Sequence, residues 1–358
     1  MTKRHSLLSC AVSLAIFSLA LAQEDGGVRR SDKDRLQQFL QRFPDADANK
    51  DGVLTMQEAR AYREERRGAA PAGRGRKSTA THPDVAYGDH QKQKFDLWLL
   101  TDSDAPTPLI IFIHGGGFRG GDKASVNPKV AEDLNKEGIA YASLNYRLSD
   151  AGPYPIMMHD AARALQTIRH RAQEWNIDPE RIVCYGGSAG AGISLWLAFH
   201  DDLADPDSDD PIARQSTRIL AAATTNGQSS YDLFVIRDWF GLPDLYAHDA
   251  LPQFYGFQEE AEVKSDRVRK LMKDASPINH LSSDDTASVY MTYGQGNSKV
   301  TANTPQNVWV HHVTFGLKLK EAVDQQGLEC IVTAPGVAEG KDAYGSPMTF
   351  LMKKVKGE

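Results

Sequence analysis

The sequence predicts an α/β fold with a mainly parallel sheet and helices on both faces, preceded by a small helical module. Three observations carry this. Apolar strand-like runs alternate with amphipathic helical stretches over residues 85–356. Two glycine-rich turns, His114-Gly115-Gly116-Gly117 and Gly186-Gly187-Ser188-Ala189-Gly190, each follow such a run. An acidic loop, Asp47 to Glu58, lies between two short helical patterns near the N-terminus.

The chain of 358 residues suffices for one large core and a satellite module. A composition of 41% hydrophobic and 25% charged residues is that of a globular protein, and a formal charge of -6 gives no reason to expect nucleic-acid binding. Residues 1–22 read as an export leader. Lys3, Arg4 and His5 precede an apolar run that ends in Ala20-Leu21-Ala22, a small-x-small cleavage site. The run is short for a membrane anchor, and too little apolar sequence precedes Cys10 for lipidation there. The expectation is a secreted or periplasmic protein with no stable membrane span after cleavage. Cys184 and Cys330 then remain, each in an apolar strand-like run, where buried free thiols are expected.

Residues 31–66 form the expected helical module. Leu36, Phe39, Leu40 and Phe43 share one helical face and lead into "DANKDGVLTMQE". That run has the EF-hand spacing: Asp47, Asn49 and Asp51 at alternate positions, Gly52 at the sharp turn, the Val53 carbonyl, Thr55, and Glu58 closing the shell. Calcium, a hard cation, takes six or more oxygens, which this spacing turns to one side of the loop. No second complete loop is evident, so the expectation is a weak structural Ca2+ site, with Leu54 packing elsewhere or across a dimer. Residues 67–84, rich in Gly, Ala, Pro and basic residues and without periodicity, read as a flexible linker.

In the large domain "QKFDLWLL" and "PLIIFIHGG" read as strands, followed by the helix "VAEDLNKEG" and the strand "IAYASLNY". The amphipathic stretch "YPIMMHDAARALQTIRHRAQEW" is a long helix before the strand "RIVCYGG" and the helix "AGISLWLAFH". Then come "ILAAATT", "ASVYMTYG", the helix "HVTFGLKLKEAVDQQG" and the strand "LECIVTA". The aromatic-rich "RDWFGLPDLYAHDALPQFYGF" reads either as a cap over a pocket or as an insertion with its own core.

The second glycine turn joins a strand to a helix, a tight bend that exposes the Ser188 hydroxyl. The free N–H groups of the following helix favour an oxyanion there. The first turn places an N–H-rich loop at the end of another strand, so that Gly115, Gly116 and Ala189 together suit an oxyanion hole. "GGSAGAG" lacks the spacing of a dinucleotide fingerprint.

With "HGGGFRGGDK", "LNYRL", "HDAARALQTIR", "IDPERI" and "GGSAGAG", residues 85–356 resemble the α/β-hydrolase superfamily. Within it they are similar to hormone-sensitive-lipase-like and bacterial feruloyl-esterase-like carboxylesterases. The resemblance implies Ser188 as nucleophile, an oxyanion hole from Gly115, Gly116, Gly117 and Ala189, and carboxylic esters, acylated carbohydrates among them, as substrates, with no cofactor needed for hydrolysis. It also implies an aspartate after the seventh strand and a histidine after the last one. Counting from Gly294 puts Asn297 at the first position, and no histidine occurs from Cys330 onward; Glu339 and Asp342 there do not replace an imidazole. The candidates for the base are His311 and His312, with Asn297 as a neighbour, or else both histidines cap or pack a helix. His114, His159, His170, His200, His248 and His280 read as structural or surface residues. Two readings follow: a serine carboxylesterase with an unconventional triad, or a hydrolase-fold binding protein with little turnover.

Overall fold

The computed structural model describes residues 79–358 and, before them, residues 36, 37, 40, 44–48, 50–55, 58 and 62. The expected leader, residues 1–22, lies outside the described residues, as does the expected linker through residue 78. The chain divides into two compact units, Met1–Lys77 and Ser78–Glu358. In the first, Ala46 and Leu54 are buried against Leu36, Leu40 and Tyr62. Leu54 thus packs on the helical residues that flank its own loop.

The second unit is built on nine strands: β1 (His82–Ala86), β2 (Lys94–Trp98), β3 (Thr107–Ile113), β4 (Ala140–Leu144), β5 (Ile177–Gly187), β6 (Ala221–Thr225), β7 (Ser288–Thr292), β8 (Cys330–Ala334) and β9 (Val337–Glu339). They form one sheet in the order β1-β2-β4-β3-β5-β6-β7-β8-β9. β4, β3, β5, β6, β7 and β8 run parallel, whereas β1, β2 and β9 pair antiparallel at the two edges. The sheet is therefore mixed, with a parallel centre. β1 begins at His82, inside the stretch read as linker. Its side chains are mostly exposed, and it is held by backbone pairing, by Asp84 N–H donating to Asp96 Oδ1 at 2.8 Å and by Thr81 Oγ1 donating to the Leu97 carbonyl at 2.9 Å. A strand held this way leaves no apolar period to read.

The central strands are apolar on both faces because both faces are covered. Leu109, Ile111 and Ile113 of β3 pack with Met157, Ala161, Leu165, Ile193 and Leu197 from helices α2 (Ile156–His170) and α3 (Ala189–Phe199), while α1 (Pro128–Lys136) lies across the sheet from them. On that opposite face Ile110, Tyr141 and Val183 pack with Ala131 and Leu134 of α1 and with Phe350, Leu351 and Val355 near the C-terminus. Each fully buried Leu, Ile or Phe of these layers stabilises the fold by about 1.5–3 kcal/mol. Cys184 and Cys330 are free thiols buried in this core, pushed up to about 12 by desolvation. Among the described residues no helix is long and apolar enough to cross a membrane.

Strand order sets the site. The chain leaves β3 to one side for β4 and returns on the other for β5, so the loops after β3 and β5 meet at a switch point. One ion pair steadies this region. Asp160 on α2 is almost wholly buried, takes Arg147 Nη2 at 2.6 Å and Nε at 2.9 Å, and accepts the Arg147 N–H at 2.8 Å. The neighbouring Tyr146 hydroxyl donates to the His114 carbonyl at 2.9 Å, and its ring stacks on His114 at 4.4 Å. Asp160→Ala leaves Arg147 without its partner in a partly buried place and is expected to cost about 3–5 kcal/mol. Equilibrium denaturation in urea checks this; a loss below about 1 kcal/mol refutes it.

Candidate active site

Ser188 stands between β5 and α3 with φ 50 and ψ −117, a conformation that costs a non-glycine residue about 1–3 kcal/mol. Its surroundings hold it there. Its N–H donates to the Thr225 carbonyl at the end of β6 at 3.0 Å, and its own carbonyl accepts from Gly192 at 3.0 Å. A Cβ on Gly186 would lie 2.5 Å from the Ile113 carbonyl oxygen, and one on Gly190 would strike the same atom. A Cβ on Gly115 would lie 2.5 Å from the Gly187 carbonyl oxygen. Only bare backbone lets the two loops approach so closely.

Gly116, Gly117 and Ala189 line a cavity of about 310 Å³ together with Ser188. Among the described residues, no acceptor takes the N–H of Gly116, Gly117 or Ala189. Gly116 (φ 120) and Gly117 (φ 60) adopt glycine-favoured conformations that bend the loop around this space. Gly115, expected in the oxyanion hole with them, does not line the cavity and lies against the Gly187 carbonyl.

The histidine pair separates cleanly. His311 Nε2 lies 2.9 Å from Ser188 Oγ, and its Nδ1 lies 3.0 Å from the Asn307 carbonyl oxygen. A carbonyl only accepts, so Nδ1 carries the proton and Nε2 turns its lone pair to the serine. His312 points elsewhere: it is buried, with Nε2 2.8 Å from the Ser298 carbonyl and Nδ1 2.9 Å from Thr314 Oγ1. Asn297 is exposed, and neither nitrogen of His311 bonds to it. Of the two histidines that the sequence offers as the base, His311 alone reaches the serine, and His312 takes the packing role that was the other expectation; Asn297, expected as the neighbour of the base, is corrected to the Asn307 carbonyl. The two histidines occupy successive positions of a tight turn between α7 (Gln306–Trp309) and α8 (Thr314–Gln325), so they diverge. The orienting group is main chain on the same short helix, a role no residue type signals. It is one of the carbonyls that the end of a helix leaves without an N–H partner.

Packing fixes this turn. Gln228 Nε2 donates to the Val310 carbonyl at 2.7 Å and to that of Asn226 at 2.9 Å. Trp309 is buried, edge-on to His248 and Tyr246. The aromatic-rich segment begins within α4 (Leu233–Phe240) and contains α5 (Leu251–Tyr255); its Leu251 and Phe254, with Ile236 just before it, stand in the cavity wall beside Phe118 and Tyr231. This segment is therefore a wall of the cavity. His248, expected to be structural or at the surface, lines the cavity too, with Nδ1 accepting the Ala250 N–H at 3.2 Å. Its signal in the sequence was the aromatic setting alone.

Desolvation lowers the pKa of His311, partly offset by its hydrogen bond to Asn307, and lowers that of His248, where Arg119 and His311 also disfavour a second positive charge. Both rings are thus biased toward the neutral form.

Residues 95–309 match the BD-FAE family. The chain belongs to the BD-FAE family. Among curated relatives, it is 28% identical over 222 residues to the probable carboxylic ester hydrolase LipM of Mycobacterium tuberculosis, across 61% of this chain and 48% of the relative. It is 28% identical over 208 residues to the isoprenylcysteine alpha-carbonyl methylesterase ICME of Arabidopsis thaliana, across 56% of this chain and 48% of that one. The chain spans about half the length of the curated relatives it matches. A truncated carbohydrate esterase from gut microbiota superposes with a TM-score of 0.57 at 20% identity, over 78% of this BD-FAE chain and 98% of the other. The acetyl ester-xyloside bifunctional hydrolase of Caldicellulosiruptor lactoaceticus gives 0.53 at 21% identity, over 78% and 95%. These two likenesses show the α/β-hydrolase fold.

The acidic loop of the first unit has its own geometry. Gly52, at φ 81, donates to Asp47 Oδ2 at 2.8 Å, and Val53 N–H donates to Asp51 Oδ1 at 2.8 Å. Thr55 donates to Glu58 Oε2 from its N–H at 3.0 Å and its hydroxyl at 2.7 Å. Asn49 lies outside the described residues. Asp47 Oδ1 is buried and has no hydrogen-bond partner among the described residues, so the donor set fits an oxygen-seeking cation on that side.

The tautomer of His311 is directly observable. Nitrogen NMR shifts are expected to show Nδ1 protonated and Nε2 bare near neutral pH, with a titration midpoint below the ordinary 6.5. A midpoint above that value, or the opposite tautomer, contradicts the assignment.

Proposed function

We propose that this BD-FAE family member is a serine carboxylesterase in which Ser188 is the nucleophile and His311 the general base. The observation that carries the reading is the 2.9 Å separation of Ser188 Oγ and His311 Nε2 beside the N–H groups of Gly116, Gly117 and Ala189. His311 takes the hydroxyl proton as Ser188 attacks the ester carbonyl. The developing oxyanion is met by the glycine loop and the N-terminus of α3. His311 then returns the proton to the departing alcohol, and the same steps with water release the acid. A main-chain carbonyl behind the imidazole fixes its tautomer but supplies less countercharge to the imidazolium than a carboxylate does. Turnover is accordingly expected to be modest, and this neutral orienter is what favours the second reading, a binding protein with little hydrolysis.

The cavity accepts a short acyl or aromatic group among Phe118, Tyr231, Leu251 and Phe254. The names of the relatives and fold neighbours support small carboxylic esters and acylated carbohydrates as substrates. The leader read in residues 1–22 supports a secreted or periplasmic location. In the acidic loop, Asp47, Asp51, the Val53 carbonyl, Thr55 and Glu58, with Asn49, would hold Ca2+ as a structural ion that hydrolysis does not require.

Fluorophosphonate labelling tests the nucleophile: it is expected in the wild type and lost in Ser188→Ala. Hydrolysis of p-nitrophenyl acetate is expected to fall by about 10²–10⁴ in His311→Gln and to stay near wild type in Asn297→Ala. Because the neutral imidazole is the active form, kcat/KM rises with pH through the lowered His311 pKa, placing the acid limb below pH 6.5. Absence of labelling, with hydrolysis no faster than in Ser188→Ala, leaves the binding-protein reading. For the loop, calorimetry of the full chain at millimolar Ca2+ is expected to show binding that Glu58→Gln weakens at least tenfold; no binding by the wild type rejects it.

A further inference from the structure

Away from the cavity, three side chains converge at the opposite end of the helix that begins with Ser188. His200 is the residue that caps α3 at its C-terminus. Asp274 lies near the end of α6 (Asp266–Ala275), and His280 follows the turn Pro277–Asn279. One ligand-capable atom from each of the three lies within 4.8 Å of the others. The imidazole centroids are 4.5 Å apart.

The hydrogen bonds around this cluster decide which atoms are left. His200 Nδ1 lies 2.8 Å from the Asp201 carbonyl oxygen, so Nδ1 bears the proton and Nε2 keeps its lone pair. His280 Nε2 lies 2.5 Å from the Asp274 carbonyl oxygen, so there Nε2 bears the proton and Nδ1 keeps the lone pair. Asp274 Oδ2 accepts the Tyr154 hydroxyl at 2.7 Å, which leaves Oδ1. Each of the three residues thus has one polar atom tied to the protein and another left over, and all three leftover atoms are acceptors. This is how metal ligands are held: the second nitrogen of the imidazole donates to a carbonyl, and the carboxylate is itself hydrogen-bonded. Trp196 fixes His200 further, with ring centroids 3.9 Å apart.

We propose that His200, Asp274 and His280 form a site for a transition-metal dication, Zn2+ by preference. Two imidazole nitrogens and one carboxylate oxygen suit zinc over calcium or magnesium, which take oxygen shells. Zinc ligands at about 2.0–2.1 Å stand roughly 3.3 Å from one another in a tetrahedron, so a small side-chain rotation closes the cluster, with water as fourth ligand. The ion would join the end of α3 to the end of α6 and the turn after it. At about 1.5 Å per residue along α3 it stands far from Ser188, so its role is to brace the helix.

The test uses the full chain, stripped of metal by chelation, with Zn2+ added alone in a calorimeter. One equivalent is expected to bind, and bound Co2+ is expected to give the visible spectrum of a tetrahedral site. Binding is expected to weaken at least tenfold in Asp274→Asn and His280→Gln, and about 10–100-fold in Tyr154→Phe, which removes the hydroxyl that holds Asp274 Oδ2. Zn2+ is expected to raise the Tm of the wild type and to leave those of Asp274→Asn and His280→Gln unchanged. The Tm measured in chelator separates a lost ligand from a damaged fold, and Asp274, being exposed, is the substitution least able to disturb packing. No saturable Zn2+ binding by the wild type overturns the proposal, as does binding undiminished in both ligand variants.

Discussion

Bare backbone against bare backbone is the contact on which the proposed active centre rests. Gly186 and Gly190 both press on the Ile113 carbonyl at the end of β3, and Gly115 presses on the Gly187 carbonyl in return. Any side chain at these places would push the loop after β3 away from the turn after β5, and with it the N–H groups of Gly116 and Gly117 away from Ser188. The strained φ of Ser188 persists because the parallel pairing of β3 with β5 and β5 with β6 leaves that turn no room to relax. The fold therefore spends local strain where it exposes a hydroxyl, with a large apolar core on both faces of the sheet to absorb it.

The same logic reaches the ring of support behind the glycine loop. Tyr146 holds the His114 carbonyl, Arg147 is locked to the buried Asp160, and Gln93 also donates to Asp160 at 2.8 Å. A strand end, a helix and an edge-strand loop thereby converge on one carboxylate. On the other wall Gln228 and Trp309 hold the turn that carries His311. The cavity between them is mostly aromatic and aliphatic, and burial there keeps His311 and His248 toward the uncharged state.

What the sequence made legible is what is chemically local. Glycines at a tight bend have few other uses, so the turn around Ser188 and the loop Gly115–Gly117 could be read without coordinates, as could the alternation that builds a sheet covered on both faces. Edge strands were harder: β1 and β9 are short, largely exposed and held through backbone pairing, which leaves no side-chain period. The proposed base was legible only to the level of a pair, because which of two consecutive histidines faces the serine depends on how the turn after α7 is rotated. Counting from Gly294 to Asn297 assumed that the orienting group is a side chain on the loop after β7. His311 is instead oriented from four residues upstream on its own segment. His248 belonged to no motif, and only the folding of its segment over the cavity brought it to the wall.

That four-residue arrangement carries a consequence for how such a centre is dissected. A carbonyl belongs to every amino acid, so replacing the Asn307 side chain leaves the orienting atom in its bond. A search by side-chain substitution for the group behind His311 would find none, making Ser188 and His311 look like a dyad with nothing behind it. The third partner is written in the backbone. It would yield only to chemistry performed on the peptide group itself, or to a change that unwinds the short helix presenting it.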